Sequence, residues 1–107
     1  MFENISIIGG GLIGSSILRA INKNKIAQKV SIFDKSKEVL SFLKQENFNV
    51  NICKNMASAV KDSEMIIIAT PLSSYKEILF SLKTVIKKDT ILTDTGSVKK
   101  EINKIIE

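Results

Sequence analysis

Ile5-Ser6-Ile7-Ile8-Gly9-Gly10-Gly11-Leu12-Ile13-Gly14 is the stretch on which the reading of this chain turns. An apolar, β-type run passes into Gly9-x-Gly11-x-x-Gly14, and Ile13, Ile17 and Ile21 follow at helical spacing. Strand, tight turn and helix in that order are the context in which this glycine pattern holds a dinucleotide. Gly9 permits the turn, Gly11 lets backbone approach a pyrophosphate with no Cβ in the way, and Gly14 lets the helix pack closely on its strand. Backbone N–H groups near Leu12 and Ile13 then face the phosphates at the helix N-terminus. The competing reading is a purely structural glycine-rich loop. Asp34 argues against it, ending the next apolar run (Val30-Ser31-Ile32-Phe33) twenty positions after Gly14. A carboxylate at that place binds the hydroxyls of the adenosine ribose.

The chain as a whole sets bounds on this reading. Its 107 residues make one domain, long enough for a core and short for a complete dehydrogenase. Hydrophobic content of 44% with 25% charged residues is that of an ordinary globular protein. No apolar run approaches the roughly 20 residues that span a bilayer, and the Met1-Phe2-Glu3-Asn4 start lacks the features of a signal peptide. The single cysteine, Cys53, permits no intramolecular disulfide, which fits a reducing cytoplasm; it reads as a small hydrophobe at a strand end. The net charge of +5 raises the question of nucleic acid. The lysines are spread along the chain, however, with no interleaved aromatic residues to stack on bases, so a solvated surface explains them better.

Taken in order, the sequence predicts strands at Asn4–Gly9, Gln28–Asp34, Phe48–Ile52, Glu64–Ala69 and Thr90–Thr93. Helices are expected from about Gly11 to Asn22, from an N-cap at Ser36 with Val39, Leu40 and Leu43 inward, and at Met56–Lys61. Asn47 suits a left-handed residue closing the second helix. Ser74-Tyr75-Lys76-Glu77 reads as a capping box opening a helix with Ile78, Leu79, Leu82, Val85 and Ile86 inward. A last helix carries Val98, Ile102, Ile105 and Ile106. The strict alternation of Phe48–Ile52 marks a strand with one wet face, whereas Glu64–Ala69 is a run buried on both. The fold implied is α/β, a Rossmann-type doubly wound parallel sheet of order 3-2-1-4-5, with the alternating strand outermost. Ligands bind beyond the carboxyl ends of such strands. The Gly9 turn, Asp34, Thr70-Pro71 and Asp94-Thr95-Gly96-Ser97 all fall on that edge.

The segments IIGGGLIGSS, IFDKS, DSEMIIIATPLSSYKEIL and ILTDTGSVKKEI, in this order, resemble the N-terminal domain of prephenate dehydrogenases, which share a family with arogenate dehydrogenases. The resemblance covers essentially the whole chain, and the ATPLSSY and TDTGSVK segments are its more specific parts. It implies oxidative decarboxylation of prephenate to 4-hydroxyphenylpyruvate in tyrosine biosynthesis, with NAD taking the hydride. Gly9, Gly11 and Gly14 then match the family's phosphate turn, with Leu12 and Ile13 supplying backbone contacts. Asp34 matches the ribose-binding acid and favours NAD over NADP, since a carboxylate repels a 2′-phosphate; Lys35 and Lys37 soften that preference. Thr70 and Pro71 match the loop along the nicotinamide-side ribose. Ser97 matches a serine that positions substrate and the catalytic histidine. Each has a plainer competitor: Ser97 a helix cap, Pro71 a strand end, Asp94 the cap of a turn.

The chain departs from the family pattern in containing no histidine. It is therefore expected to bind cofactor with little or no turnover, as a fragment that ends before the sixth strand and the helical domain that dimerises and closes the substrate site. Ile102, Ile105 and Ile106 could then favour self-association, as in a homodimer. Two other readings compete: another NAD(P)-dependent dehydrogenase or reductase of the same fold, and a non-catalytic nucleotide-sensing module. The choice between prephenate and arogenate is not written in these residues.

Overall fold

A computed structural model describes residues 2–95, and the expected Ser97 site and the last helix lie outside the described residues. Five strands form one parallel sheet: β1 (Phe2–Ile8), β2 (Ala27–Phe33), β3 (Asn51–Ile52), β4 (Met65–Ile68) and β5 (Ile91–Asp94). Their order is β3-β2-β1-β4-β5, as the alternation of apolar runs and helices implies. Helices α1 (Leu12–Asn24) and α2 (Lys37–Gln45) connect the first three strands, and α3 (Met56–Val60) and α4 (Tyr75–Leu82) the last three.

β1 is the centre of the sheet, in register with β2 through Ile7↔Ile32 and with β4 through Ile7↔Ile67. Because strand side chains alternate, Ile5 and Ile7 meet Ile17, Leu18 and Ile21 of α1 and Leu43 of α2 in one cluster. Ile8, Ile66 and Ile68 meet Ala59, Val60, Ile78 and Leu82 in a second. Each such aliphatic side chain contributes about 1.5–3 kcal/mol when taken out of water. Ser6 is the polar residue in the middle of this strand. It is fully buried, and its hydroxyl is satisfied by the Ala59 carbonyl and the Ser63 hydroxyl, which fastens α3 to the sheet.

Several local expectations are corrected. Asn47 does not close α2 in a left-handed conformation; among described non-glycine residues only Lys25 (φ 51°) and Asp62 (φ 62°) have positive φ. Lys25 closes α1, its N–H donating to the carbonyls of Asn22 and Ile21. β3 is two residues long instead of five. The Asn22 side chain brackets the backbone of Asn49, accepting from its N–H at 3.1 Å and donating to its carbonyl at 3.2 Å, and Arg19 stacks over Phe48 at 5.6 Å. These contacts hold 48–49 to α1 and keep that segment out of the ladder. Ile13 is half exposed, while Ile17 and Ile21 are buried. On α4, Ile78 and Leu82 face the core as expected and Leu79 is exposed; the helix ends at Leu82, short of the exposed Val85 and of Ile86, which still packs against the core.

The expected capping box is also absent. Ser74 ends a 3₁₀ turn (Leu72–Ser74), and its backbone is already right-handed helical (φ −94°, ψ −10°) where a cap needs an extended residue. It makes no side-chain cap bond. Ser36, extended at φ −84° and ψ 120°, caps α2 as the sequence implies, accepting from the Val39 N–H at 3.3 Å.

Candidate functional site

The site is built from the ends of three neighbouring strands. Backbone hydrogen bonds carry the ladder one residue past β1 and β4: the Gly9 N–H donates to the Phe33 carbonyl at 2.7 Å, and the Ala69 N–H to the Ile8 carbonyl at 2.8 Å. Gly9 then turns at φ 109°, and a Cβ there would lie 2.7 Å from the Ala69 carbonyl oxygen, so glycine is required twice over. At Gly14 a Cβ would stand 1.9 Å from the Gly9 carbonyl oxygen, which sets how closely α1 starts above the turn. The Ser15 hydroxyl donates to the Gly10 carbonyl at 3.0 Å and fixes the loop from the helix side.

Gly11 is different. Its backbone (φ −72°, ψ −154°) suits any residue, and a Cβ would meet nothing within 4 Å. Neither strain nor packing within the described residues calls for glycine here, which leaves room for a group lying close to the backbone. The first turn of α1 has no side-chain cap and no acidic residue, so its N–H groups are available to an anion. Leu12 beside it is 88% exposed.

Asp34 is held by two backbone donors. Its Oδ2 accepts from the Gly10 N–H at 2.9 Å and its Oδ1 from the Ser36 N–H at 2.8 Å. Each oxygen keeps a further lone pair, so the carboxylate ties the glycine loop to the start of α2 and can still accept from hydroxyls of a ligand.

A crevice of about 280 Å³ opens over these strand ends. Gly9, Asp34, Lys35, Thr70 and Pro71, all singled out from the sequence, line it together. Gly11 and Leu12 border a second hollow of about 350 Å³ across the glycine loop, while Ile13 and Gly14 line neither. Asp94, expected on the same edge, does not line the crevice; three strand ends converge there instead of four. The Thr70 hydroxyl oxygen is buried with no hydrogen-bond partner among the described residues. Sequence reasoning missed the far wall: Met56 of α3, Ser74 just before α4, and Glu77, Ile78 and Ser81 along it. The spacing of Ser74, Glu77, Ile78 and Ser81 (i, i+3, i+4, i+7) was the available signal, since it puts one stripe of the helix and its entry on the opening.

A parallel sheet of this order, a glycine turn into a helix N-terminus, and an acid at the end of β2 beside an open crevice define a Rossmann-type dinucleotide-binding domain. Residues 17–107 match the family described as the prephenate dehydrogenase nucleotide-binding domain. The chain belongs to that family. It is 33% identical over 107 residues to the cyclohexadienyl dehydrogenase of Zymomonas mobilis, covering 100% of this chain and 36% of that protein. It is 29% identical over 102 residues to the NAD(P)+ glycerol-3-phosphate dehydrogenase of Rickettsia bellii, covering 85% of this chain and 32% of that one. Among solved structures it shares its fold with the prephenate dehydrogenase from A. aeolicus in complex with hydroxyphenyl propionate and NAD+ (TM-score 0.75, 17% identity, 88% of this chain and 33% of that chain). The chain thus spans about a third of the length of the relatives it matches. No helix among the described residues is long and apolar enough to cross a membrane.

Proposed function

We propose that this chain is the NAD-binding part of a prephenate-type dehydrogenase, acting in tyrosine biosynthesis on prephenate or arogenate in the cytoplasm. The observation that carries the cofactor assignment is the pairing of an unconstrained Gly11 with an Asp34 that is held in place but has acceptor capacity left. The first turn of α1, with the N–H groups of Leu12 and Ile13, takes the pyrophosphate, and Asp34 takes the adenosine ribose hydroxyls. Lys35 lies at the same rim. Thr70 and Pro71 border the nicotinamide-side ribose, and the buried Thr70 hydroxyl, without a hydrogen-bond partner among the described residues, gains one there. When bound, NAD supplies the hydride acceptor; these residues orient it and keep its phosphates against the helix.

The dehydrogenase reading follows from family membership, and the substrate from the resemblance of the ATPLSSY and TDTGSVK segments, in which Ser97 is the residue we assign to substrate positioning. The sequence of 107 residues has no histidine to hold a proton near neutral pH. Cofactor binding without turnover is therefore the expected behaviour of this chain on its own. Homodimerisation is assigned to the complete enzyme.

A calorimetric titration with NAD and then NADP tests the reading. Binding of NAD with clearly weaker NADP supports it, because Asp34 repels a 2′-phosphate. No binding of either overturns it, and equal binding removes the role of Asp34 in cofactor choice.

A further inference from the structure

The failed capping box leaves two polar side chains without their expected use, and both end up in the crevice. In a capping box the Ser74 hydroxyl and the Glu77 carboxylate would each be occupied by backbone N–H groups at the start of α4. Here Ser74 makes no such bond, and Glu77 has no hydrogen bond or ion pair among the described residues. Both line the opening that Asp34 borders, on the same stripe as Ile78. Phe33, Met56 and Ile78 give that part of the crevice apolar walls. It therefore offers a slot for a flat, weakly polar ring with hydrogen-bonding groups at one edge.

We infer that Ser74 and Glu77 read the base of the bound dinucleotide and select a purine carrying a 6-amino group. The inference rests on the nucleotide reading above: with Asp34 on the adenosine ribose, the attached base has the Met56 and Ile78 side of the crevice to occupy. A carboxylate only accepts hydrogen bonds, and a serine hydroxyl both donates and accepts. Adenine presents an amino donor to Glu77 beside a ring-nitrogen acceptor for Ser74. Hypoxanthine reverses that edge, a carbonyl oxygen standing where the amino group donates and an N1–H where N1 accepts. Ser74 can accept from the N1–H, but Glu77 in the same place meets an acceptor and loses its bond. Because Glu77 is exposed, the discrimination is that of about one net hydrogen bond, roughly five- to tenfold in affinity.

The test is a calorimetric comparison of NAD with nicotinamide hypoxanthine dinucleotide on the 107-residue chain, on Glu77→Gln and on Ser74→Ala. The unsubstituted chain is expected to favour NAD about five- to tenfold. In Glu77→Gln the preference should fall to near unity, because an amide can turn either its oxygen or its NH₂ to the base. Ser74→Ala should weaken NAD a few-fold. Unchanged melting by circular dichroism in both variants separates base reading from misfolding. Equal affinities in the unsubstituted chain, or a preference that survives Glu77→Gln, overturn the inference while leaving NAD binding intact. Failure of both dinucleotides to bind the unsubstituted chain removes the nucleotide reading and this inference with it.

Discussion

The two ends of the sheet are closed to very different degrees. On the β1-α1-β2-α2 side, Leu18 and Ile32 are fully buried, and α1 presents Ile17, Leu18 and Ile21 to the sheet along its 13 residues. On the β4-α4-β5 side, α4 has eight residues and buries Ile78 and Leu82, while Phe80 is 80% and Ile91 of the edge strand 49% exposed. The glycine turn and Asp34 stand on the well-packed side, and α4 faces them across the crevice from the open one. The residues we assign to phosphate and ribose thus stand on the well-packed side, and the wall we assign to the base on an element with fewer buried side chains holding it.

Substitutions can break or sharpen this contrast. Leu18→Ala should cost about 2–5 kcal/mol in urea unfolding, whereas Phe80→Ser on the other side should stay within about 0.5 kcal/mol; equal costs would abolish the distinction. Gly14→Ala should cost about 3 kcal/mol, since its Cβ meets the backbone carbonyl of Gly9, which has no rotamer to move to. Asp34→Asn should lower stability by about 1–2 kcal/mol, because one amide cannot accept from both the Gly10 and Ser36 N–H groups without turning its NH₂ towards a donor. It should also weaken NAD in calorimetry. Gly11→Ala should cost about 1 kcal/mol or less as an N-cap change and yet reduce NAD binding more than any stability loss explains. A Gly11→Ala chain that binds NAD normally would show that nothing approaches that backbone.

The smallest effect belongs to the Lys87–Asp62 pair on the open side, 2.8 Å apart and well exposed. The hydrogen bond and charge of Lys87 hold the Asp62 carboxyl below its ordinary value, and Asp62 raises Lys87 in return. A lowered carboxyl stabilises above the ordinary carboxylate range and loses its contribution as pH falls through its lowered value. A raised lysine stabilises below its ordinary value and loses its contribution as pH rises through its raised one. Lys87→Ala should therefore change the melting temperature between those limits only in low salt, with no resolvable change at physiological ionic strength.

What the sequence makes legible follows from where the physics is local. The apolar run and glycine spacing of Ile5–Gly14 fix strand, turn and helix within one short segment, and the β1 and β4 runs announce their double burial. Asp34 and Thr70 are readable as strand-end residues. β3 is not: Phe48–Ile52 alternates as a strand should, yet the Asn22 side chain, 27 positions from Asn49, holds its first part out of the sheet, and only Asn51–Ile52 pair. Asn47 and Ser74 fail for a related reason. Their side chains suit a left-handed closure and a cap, but backbone conformation at a helix end is decided by how the chain enters and leaves, and at Ser74 a preceding 3₁₀ turn has already decided it. The Ser74–Ser81 stripe was visible as spacing, but only the packing of α4 against β1 and β4 turns spacing into a wall of the crevice.

The double grip on Asp34 has an evolutionary consequence. A carboxylate that set cofactor preference alone could be exchanged freely when selection favoured a phosphorylated dinucleotide. Here the same two oxygens secure the Gly10 and Ser36 amides, so a substitution that welcomed an extra phosphate would also loosen the glycine loop to which we assign the pyrophosphate. On the proposed role of Asp34, a change of cofactor preference would be epistatic, running through neighbouring positions such as Lys35 or through compensating changes that re-anchor the loop first.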